Sequence, residues 1–156
     1  TYTNFEDMLQ DETIDAVCIC VPSGLHAQIA VKCAEMGKHV LSEKPLDIQF
    51  SQMDLMIDAC KGAGVKLASV FQRRTLPHLQ AAKAAFDRGD LGNLMMIQAT
   101  LKYYRDDQYY ASAGWRGKWE LDGGGALMNQ GVHGIDLMQW IAGDVESVFG
   151  AHWHAI

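Results

Sequence analysis

The 156-residue sequence has no long run of apolar residues. No stretch approaches the ~18 consecutive apolar residues that a transmembrane helix needs, so we expect no membrane partner. The opening residues, TYTNFEDMLQ, are polar and lack the apolar core of a signal peptide. Blocks of Lys and Arg are also missing and the formal net charge is −6, so we expect no nucleic-acid partner.

The four cysteines lack the spacing of a metal site or of a disulfide framework. They lie in apolar segments, with no CxxC motif and no Cys/His pairs at ligand spacing: Cys18, Cys20, Cys33 and Cys60. This pattern predicts free, buried thiols in a reducing cytoplasm and no bound metal.

Two further features are missing from the sequence. There is no GxGxxG fingerprint after a strand, which is the usual mark of a dinucleotide-binding turn. The chain also begins with Thr rather than Met, which is typical of a fragment or a processed product.

The first seventy residues alternate between short apolar runs and helical periodicity. IDAVCICV (14–21), HVLS (39–42) and VKLASVF (65–71) are typical of parallel strands covered on both faces. Helices are predicted at 4–10, with Thr3 and Glu6 as a capping box, and at 24–38 and 49–61. The order predicts an α/β fold, namely part of a Rossmann-like, doubly wound parallel sheet.

The second half has a different pattern. It predicts a helix at 77–88, a long strand at 94–104, a polar and aromatic loop of about twenty residues, a helix at 125–142 and a strand near 145–154. We therefore predict two partial domains, 1–72 and 73–156, the second being part of an α+β domain.

Polar residues follow each predicted parallel strand, where open α/β sheets bind ligands. The three groups are Pro22, Ser23 and His26; Glu43, Lys44 and Pro45; and Gln72 and Arg73. Each has an ordinary alternative: EKP is compatible with a surface turn, Ser23 and His26 with helix capping, and Arg73 with a solvated loop.

The helix GGGALMNQGVHGIDLMQWIAG carries a narrow polar stripe. At 100° per residue, Asn129, His133, Asp136 and Trp140 share one side, and most other positions are apolar. An all-round apolar helix is typically buried, so these polar groups either satisfy one another or line a cavity. We favour a site. Gly123, Gly124 and Gly125 before the helix allow close approach of a ligand or another segment.

Two segments together resemble the Gfo/Idh/MocA oxidoreductases. They are VCICVPSGLHAQIAVKCAEMGKHVLSEKPL and WRGKWELDGGGALMNQGVHGIDLMQWIAG. The resemblance implies an N-terminal Rossmann domain that binds NAD or NADP, and a C-terminal domain with a large open sheet for substrate and oligomer contacts. It implies oxidation or reduction of a hydroxyl or carbonyl on a sugar, cyclitol or nucleotide sugar, in a homo-oligomer. Because the family's first strand and glycine loop are missing, we expect the chain to be the middle of a longer protein.

The resemblance also implies residue roles. Lys44 and His133 are expected to be catalytic, and which of them takes the proton stays open. Substrate contacts are expected from Asn129, Asp136 and Arg73, with Asp136 equally suited to a structural role. Cofactor contacts are expected from Pro22, Ser23, His26, Glu43, Lys44, Gln72, Trp115 and Arg116. Many members have Asp where this chain has Asn129, which is more similar to the nucleotide-sugar branches.

Three rival interpretations stay open at the level of sequence. The fold could hold a nicotinamide nucleotide as a sensor or regulatory protein without turnover. Lys44 could form a Schiff base with a carbonyl substrate. The chain alone could be inert because half of the nucleotide site is missing.

Overall fold

The computed structural model describes residues 1–152. The first half of the chain is built around a three-stranded parallel sheet. The strands are β1 (Ala16–Ile19), β2 (His39–Ser42) and β3 (Leu67–Ser69), in the order β1-β2-β3. Val17, Val40 and Leu67 form one row across the sheet. The predicted Rossmann-like parallel sheet is confirmed, because each β-branched apolar run pairs with the next in chain order.

Helices α1 (Phe5–Leu9), α2 (His26–Glu35) and α3 (Phe50–Gly62) complete this half, with a 3-10 turn at Ser23–Leu25 before α2. Helix α2 contacts β1, β2 and α3. The buried core between them includes Ile19, Ala30, Cys33, Val40 and Met56. The cap of α1 differs from the prediction: Asn4, not Thr3, accepts the Glu6 backbone N–H through its side chain at 2.9 Å.

The thiols are not all buried, contrary to the prediction. Cys33 and Cys60 lie in the core, whereas Cys18 on β1 and Cys20 just after it are exposed, with their sulfurs 3.5 Å apart. Along β1, Ala16 and Cys18 are exposed while Ile19 is buried, so the strand is covered on one face and not on both, as the apolar run predicted.

The second half begins with a 3-10 turn at Gln72–Thr75 and contains α4 (Pro77–Asp87), α5 (Asp107–Ala111) and α6 (Val132–Ala142). Helix α6 continues directly from a π-helical turn at Leu127–Gly131. The loop predicted after residue 104 therefore contains one short helix, α5. The Asp106 side chain caps this helix by accepting the Tyr109 N–H at 2.9 Å.

The strand predicted at 94–104 is not formed, and neither is the described part, residues 145–152, of the last predicted strand. Residues 94–104 and 143–152 have no regular secondary structure, and Met95 and Phe149 are more than 90% exposed. A strand needs a neighbour to accept its ladder hydrogen bonds, and within residues 1–152 neither segment pairs with another. Residues 153 and 154, at the end of the predicted last strand, lie outside the described residues.

Helix α6 is buried on its polar side rather than all round. His133 and Asp136 are each 6% exposed, while Leu127 of the preceding turn is 69% exposed and Ile135 is 44% exposed. The polar stripe therefore faces the interior, and the prediction of a fully buried helix is wrong. None of the helices formed by residues 1–152 combines the length and the apolar character needed to cross a membrane.

Candidate active site

The turn after β2 directs Lys44 toward the second half of the chain. The Glu43 N–H donates to the Ile19 carbonyl at 2.9 Å, which extends the β1–β2 pairing up to the residue before Lys44. The Lys44 ammonium then donates to the Asn129 backbone carbonyl at 2.8 Å. One hydrogen bond thus joins the end of the sheet to the turn that leads into α6.

Asn129 lies in the middle of the π-helical turn Leu127–Gly131. A π-helical turn widens the helix by one residue and is often found at functional sites. Here it brings a backbone carbonyl to Lys44 one helical turn before His133.

His133 is buried and its Nδ1 has no hydrogen-bond partner within residues 1–152. Burial lowers the pKa of His133, and the positive charges of Lys44 and Arg73 lower it further, while Asp136 and Glu43 act in the opposite direction. The net effect favours the neutral imidazole, which can accept a proton.

Burial also lowers the pKa of Lys44, against the opposing effects of Glu43, Tyr109 and Asp122. Desolvation disfavours the charged ammonium, while the nearby acidic groups stabilise it. The charge of Lys44 in turn lowers the pKa of His133, so the two groups lie within range of an electrostatic interaction.

Asp122 is a site residue that the sequence reasoning missed. It is 5% exposed; one carboxylate oxygen accepts the Asn129 Nδ2 at 2.8 Å and the other accepts the Gly117 N–H at 2.8 Å. Because a carboxylate can only accept, the Asn129 amide nitrogen must face it, and the amide oxygen accepts the Gln130 Nε2 at 3.1 Å. The usable signal was an acid beside the glycine run, seven residues before Asn129.

The loop that carries Asp122 lies against the turn after β1. The Gly24 N–H donates to the Leu121 carbonyl at 3.0 Å. A Cβ on Gly24 would overlap the Glu120 carbonyl oxygen, so this contact needs glycine.

A cleft of about 290 Å³ opens where these elements meet. Six residues predicted for the site line it: Ser23, Glu43, Lys44, Trp115, Arg116 and Asn129. The Arg116 guanidinium lies 4.3 Å from the Tyr109 ring centroid and 5.1 Å from that of Trp115, and its buried Nε has no partner within residues 1–152. Arg116 therefore lines the cleft with a guanidinium held between aromatic rings, and its Nε–H has no acceptor among residues 1–152.

Other predicted site residues lie outside this lining. Both ring nitrogens of His26 contact protein carbonyls, so the ring has no polar atom left for a cofactor. Pro22, the exposed Gln72 and the buried His133 are not part of the lining either.

Arg73 and Asp136 each have a protein partner. The Arg73 guanidinium donates to the Tyr103 hydroxyl at 3.0 Å, while its charge still acts on His133. The Asp136 carboxylate is held by Arg74, with Nε 2.9 Å from Oδ2, which favours the structural role for this acid. Within residues 1–152, no cluster of three or more His, Cys, Asp and Glu side chains is arranged to hold a metal ion.

Family comparisons match nearly the whole chain. Residues 1–71 match the oxidoreductase family with an NAD-binding Rossmann fold, and residues 79–155 match the GFO/IDH/MocA C-terminal domain. The chain belongs to the Gfo/Idh/MocA oxidoreductase family.

Similar Gfo/Idh/MocA proteins include characterised dehydrogenases. Oxidoreductase P35 of Formosa agariphila is 32% identical over 94% of this chain and 46% of that protein. Levoglucosan dehydrogenase of Pseudarthrobacter phenanthrenivorans is 29% identical over 94% of this chain and 37% of that protein. The chain spans less than half the length of these relatives.

The WlbA dehydrogenase of Bordetella pertussis, solved in complex with NADH and UDP-GlcNAcA, is similar in both sequence and structure. It is 41% identical with a TM-score of 0.85, over 91% of this chain and 41% of that structure.

Proposed function

We propose that this chain is part of an NAD- or NADP-dependent oxidoreductase. Residues 1–72 would belong to the cofactor domain and residues 73–156 to the substrate domain, a division supported by family matches that end at 71 and resume at 79. The reaction is hydride transfer between the nicotinamide and a secondary hydroxyl or carbonyl of a sugar, cyclitol or nucleotide sugar.

The observation that carries the proposal is the hydrogen bond from Lys44 to the Asn129 carbonyl. It places the Lys44 ammonium, just after a parallel strand, against the turn that leads to His133, whose buried Nδ1 has no hydrogen-bond partner within residues 1–152. An alcohol oxygen beside these groups would meet a donor for its developing negative charge and an acceptor for its proton.

His133 is the proton acceptor that we favour, because the lowered pKa keeps its ring neutral at physiological pH. Lys44 would donate a hydrogen bond to the same substrate oxygen and stabilise charge that develops there. Asn129 would accept a substrate hydroxyl through its amide oxygen, in the orientation that Asp122 imposes.

The cleft residues fit a nicotinamide cofactor. Arg116 has a buried, unpartnered Nε–H donor, which suits an acceptor such as the carboxamide oxygen, and the Trp115 ring lies beside it. Ser23 and Glu43 would border the same group from the strand ends. When bound, the nicotinamide supplies the hydride acceptor or donor of the reaction.

A nucleotide sugar is the substrate class that we favour. The WlbA dehydrogenase whose structure contains UDP-GlcNAcA is 41% identical to this chain, against 29% for levoglucosan dehydrogenase and 28% for the myo-inositol 2-dehydrogenase of Thermotoga maritima. Asn129 also supports this class, because an asparagine at this position is more similar to the nucleotide-sugar branches of the family.

The test uses the full-length protein with NAD⁺ or NADP⁺ and three candidate substrates: UDP-GlcNAcA, myo-inositol and levoglucosan. We expect absorbance at 340 nm to rise with the nucleotide sugar, and the Lys44→Ala variant to lose the signal. Tight cofactor binding without turnover of any sugar, cyclitol or nucleotide sugar would contradict an enzyme and would support a sensor.

A further inference from the structure

His26 connects the ends of two neighbouring strands. It is the first residue of α2 and 1% exposed. Its Nε2 lies 2.9 Å from the Val21 carbonyl oxygen, just after β1, and its Nδ1 lies 2.8 Å from the Pro45 carbonyl oxygen, just after Lys44. One buried ring therefore spans the segments that leave β1 and β2.

A carbonyl oxygen can only accept, so a hydrogen bond to either carbonyl needs an N–H of the ring. The tautomer of the ring decides which of the two carbonyls receives it. Replacing the ring leaves at least one buried carbonyl without its donor, and such a loss displaces backbone as well as costing stability.

The Pro45 carbonyl is an effective place to hold Lys44. Proline has no N–H, so the backbone of residue 45 can be held by hydrogen bonds only through its carbonyl oxygen. On the other side of Lys44, the Glu43 N–H is fixed to Ile19. The Lys44 backbone is thus held on both flanks, and His26 supplies the second attachment.

We propose that His26 is a positioning residue, which fixes the Lys44–Pro45 backbone so that the Lys44 ammonium reaches the Asn129 carbonyl. This inference rests on the proposed function for its effect on turnover, but the position of Lys44 can be tested without turnover. Without the ring, the 41–46 segment relaxes, and the ammonium leaves the half-buried position that it shares with Asn129.

The experiment compares the wild-type full-length protein with His26→Ala and with His26→Phe, which keeps a ring but has no donor. Met56→Val is the control. Met56 is a fully buried core residue of α3, so this substitution should lower the stability of the fold without touching the Lys44 segment. The pH midpoint of Lys44 acetylation by acetic anhydride is read by mass spectrometry, and kcat and KM are measured wherever the wild type turns over.

We expect the Lys44 midpoint to rise in both His26 variants, because the ammonium becomes more solvated, and to stay unchanged in Met56→Val. We expect kcat to fall by up to about 100-fold with a smaller change in KM, since misplacement of a catalytic group acts mainly on the reaction. If the folded His26 variants keep the wild-type midpoint, or shift it no more than Met56→Val does, the proposal is overturned. Absence of wild-type turnover would contradict the proposed function alone.

Discussion

The Lys44 ammonium lies 2.8 Å from the backbone carbonyl of Asn129, although the two residues are 85 positions apart in the chain. The contact joins the end of a parallel strand to a π-helical turn, and it is independent of the identity of the Asn129 side chain. The Asn129 amide makes separate contacts: its nitrogen donates to Asp122 and its oxygen accepts from Gln130, and these two partners fix its orientation.

Replacement of Lys44 should affect turnover far more than cofactor binding. A positioned acid, base or donor typically contributes 100- to 10,000-fold, so we expect Lys44→Ala to lower kcat by that order. Isothermal titration with NAD⁺ and NADP⁺ should show affinities within a few-fold of the wild type. Lys83→Ala, which breaks an exposed pair with Asp87 on α4, serves as the matched lysine control and should keep full activity. Normal kcat in Lys44→Ala would remove the lysine from the reaction.

The pH dependence of alcohol oxidation should report the protonation of His133. The base must be neutral, so kcat/KM should rise with pH through the pKa of His133, which burial and neighbouring cations lower from 6.5. The acid limb should therefore have its midpoint below 6.5, with a plateau above it.

Arg73 offers a direct test of that assignment, because its positive charge lowers the pKa of His133. Arg73→Ala should move the acid-limb midpoint to higher pH, whereas Arg88→Ala, which removes an exposed arginine paired with Asp90, should leave it in place. An acid limb that is indifferent to Arg73 would assign the titration to another group.

Sequence patterns were sufficient where structure is decided locally. The parallel strands follow from short β-branched runs, and the polar stripe of α6 follows from helical spacing. The predicted strand at 94–104 failed because a strand needs a partner, and alternation alone does not provide one.

The contacts missed in the site are those made between distant segments. Asp136 meets Arg74 across 62 positions, and no local pattern identifies which arginine takes that carboxylate. The π-helical turn at Asn129 was also missed, because the apolar spacing of residues 125–142 fits one continuous α-helix.

Removal of the Arg74–Asp136 pair should destabilise the fold. Asp136 is 6% exposed and accepts two donors of Arg74, so Arg74→Ala leaves a buried carboxylate without a partner. Allowing for the 40% exposure of the arginine side chain, we expect a loss of about 2 kcal/mol in the free energy of unfolding by urea. The exposed Arg88–Asp90 pair is the control, and Arg88→Ala should cost less than about 1 kcal/mol. Equal losses in the two variants would show that Arg74 does not stabilise Asp136.

Asp122 should act on catalysis through Asn129 rather than alone. The side chain of Asp122→Asn can present an N–H donor where the carboxylate accepts, so the Asn129 amide can flip and exchange the positions of its oxygen and nitrogen. We expect kcat/KM to fall, and a double-mutant cycle with Asn129→Ala to give a coupling of about 0.5–3 kcal/mol. Additive effects of the two substitutions, with coupling near zero, would contradict the orienting role.

Gly24 provides a last test, because it sets how closely the loop carrying Asp122 approaches the sheet. A methyl group there would overlap the Glu120 carbonyl oxygen and contact the Ile48 side chain at 3.1 Å, so the loop must shift. We expect Gly24→Ala to cost about 1–3 kcal/mol of stability, as overpacking does, and to lower kcat/KM because Asp122 and Arg116 move with the loop. Gly62→Ala is the matched control, since a Cβ at Gly62, the last residue of α3, meets nothing within 4 Å. That control should be neutral or slightly stabilising in urea unfolding. Wild-type activity in a folded Gly24→Ala variant would mean that the close loop contact is not needed for the site.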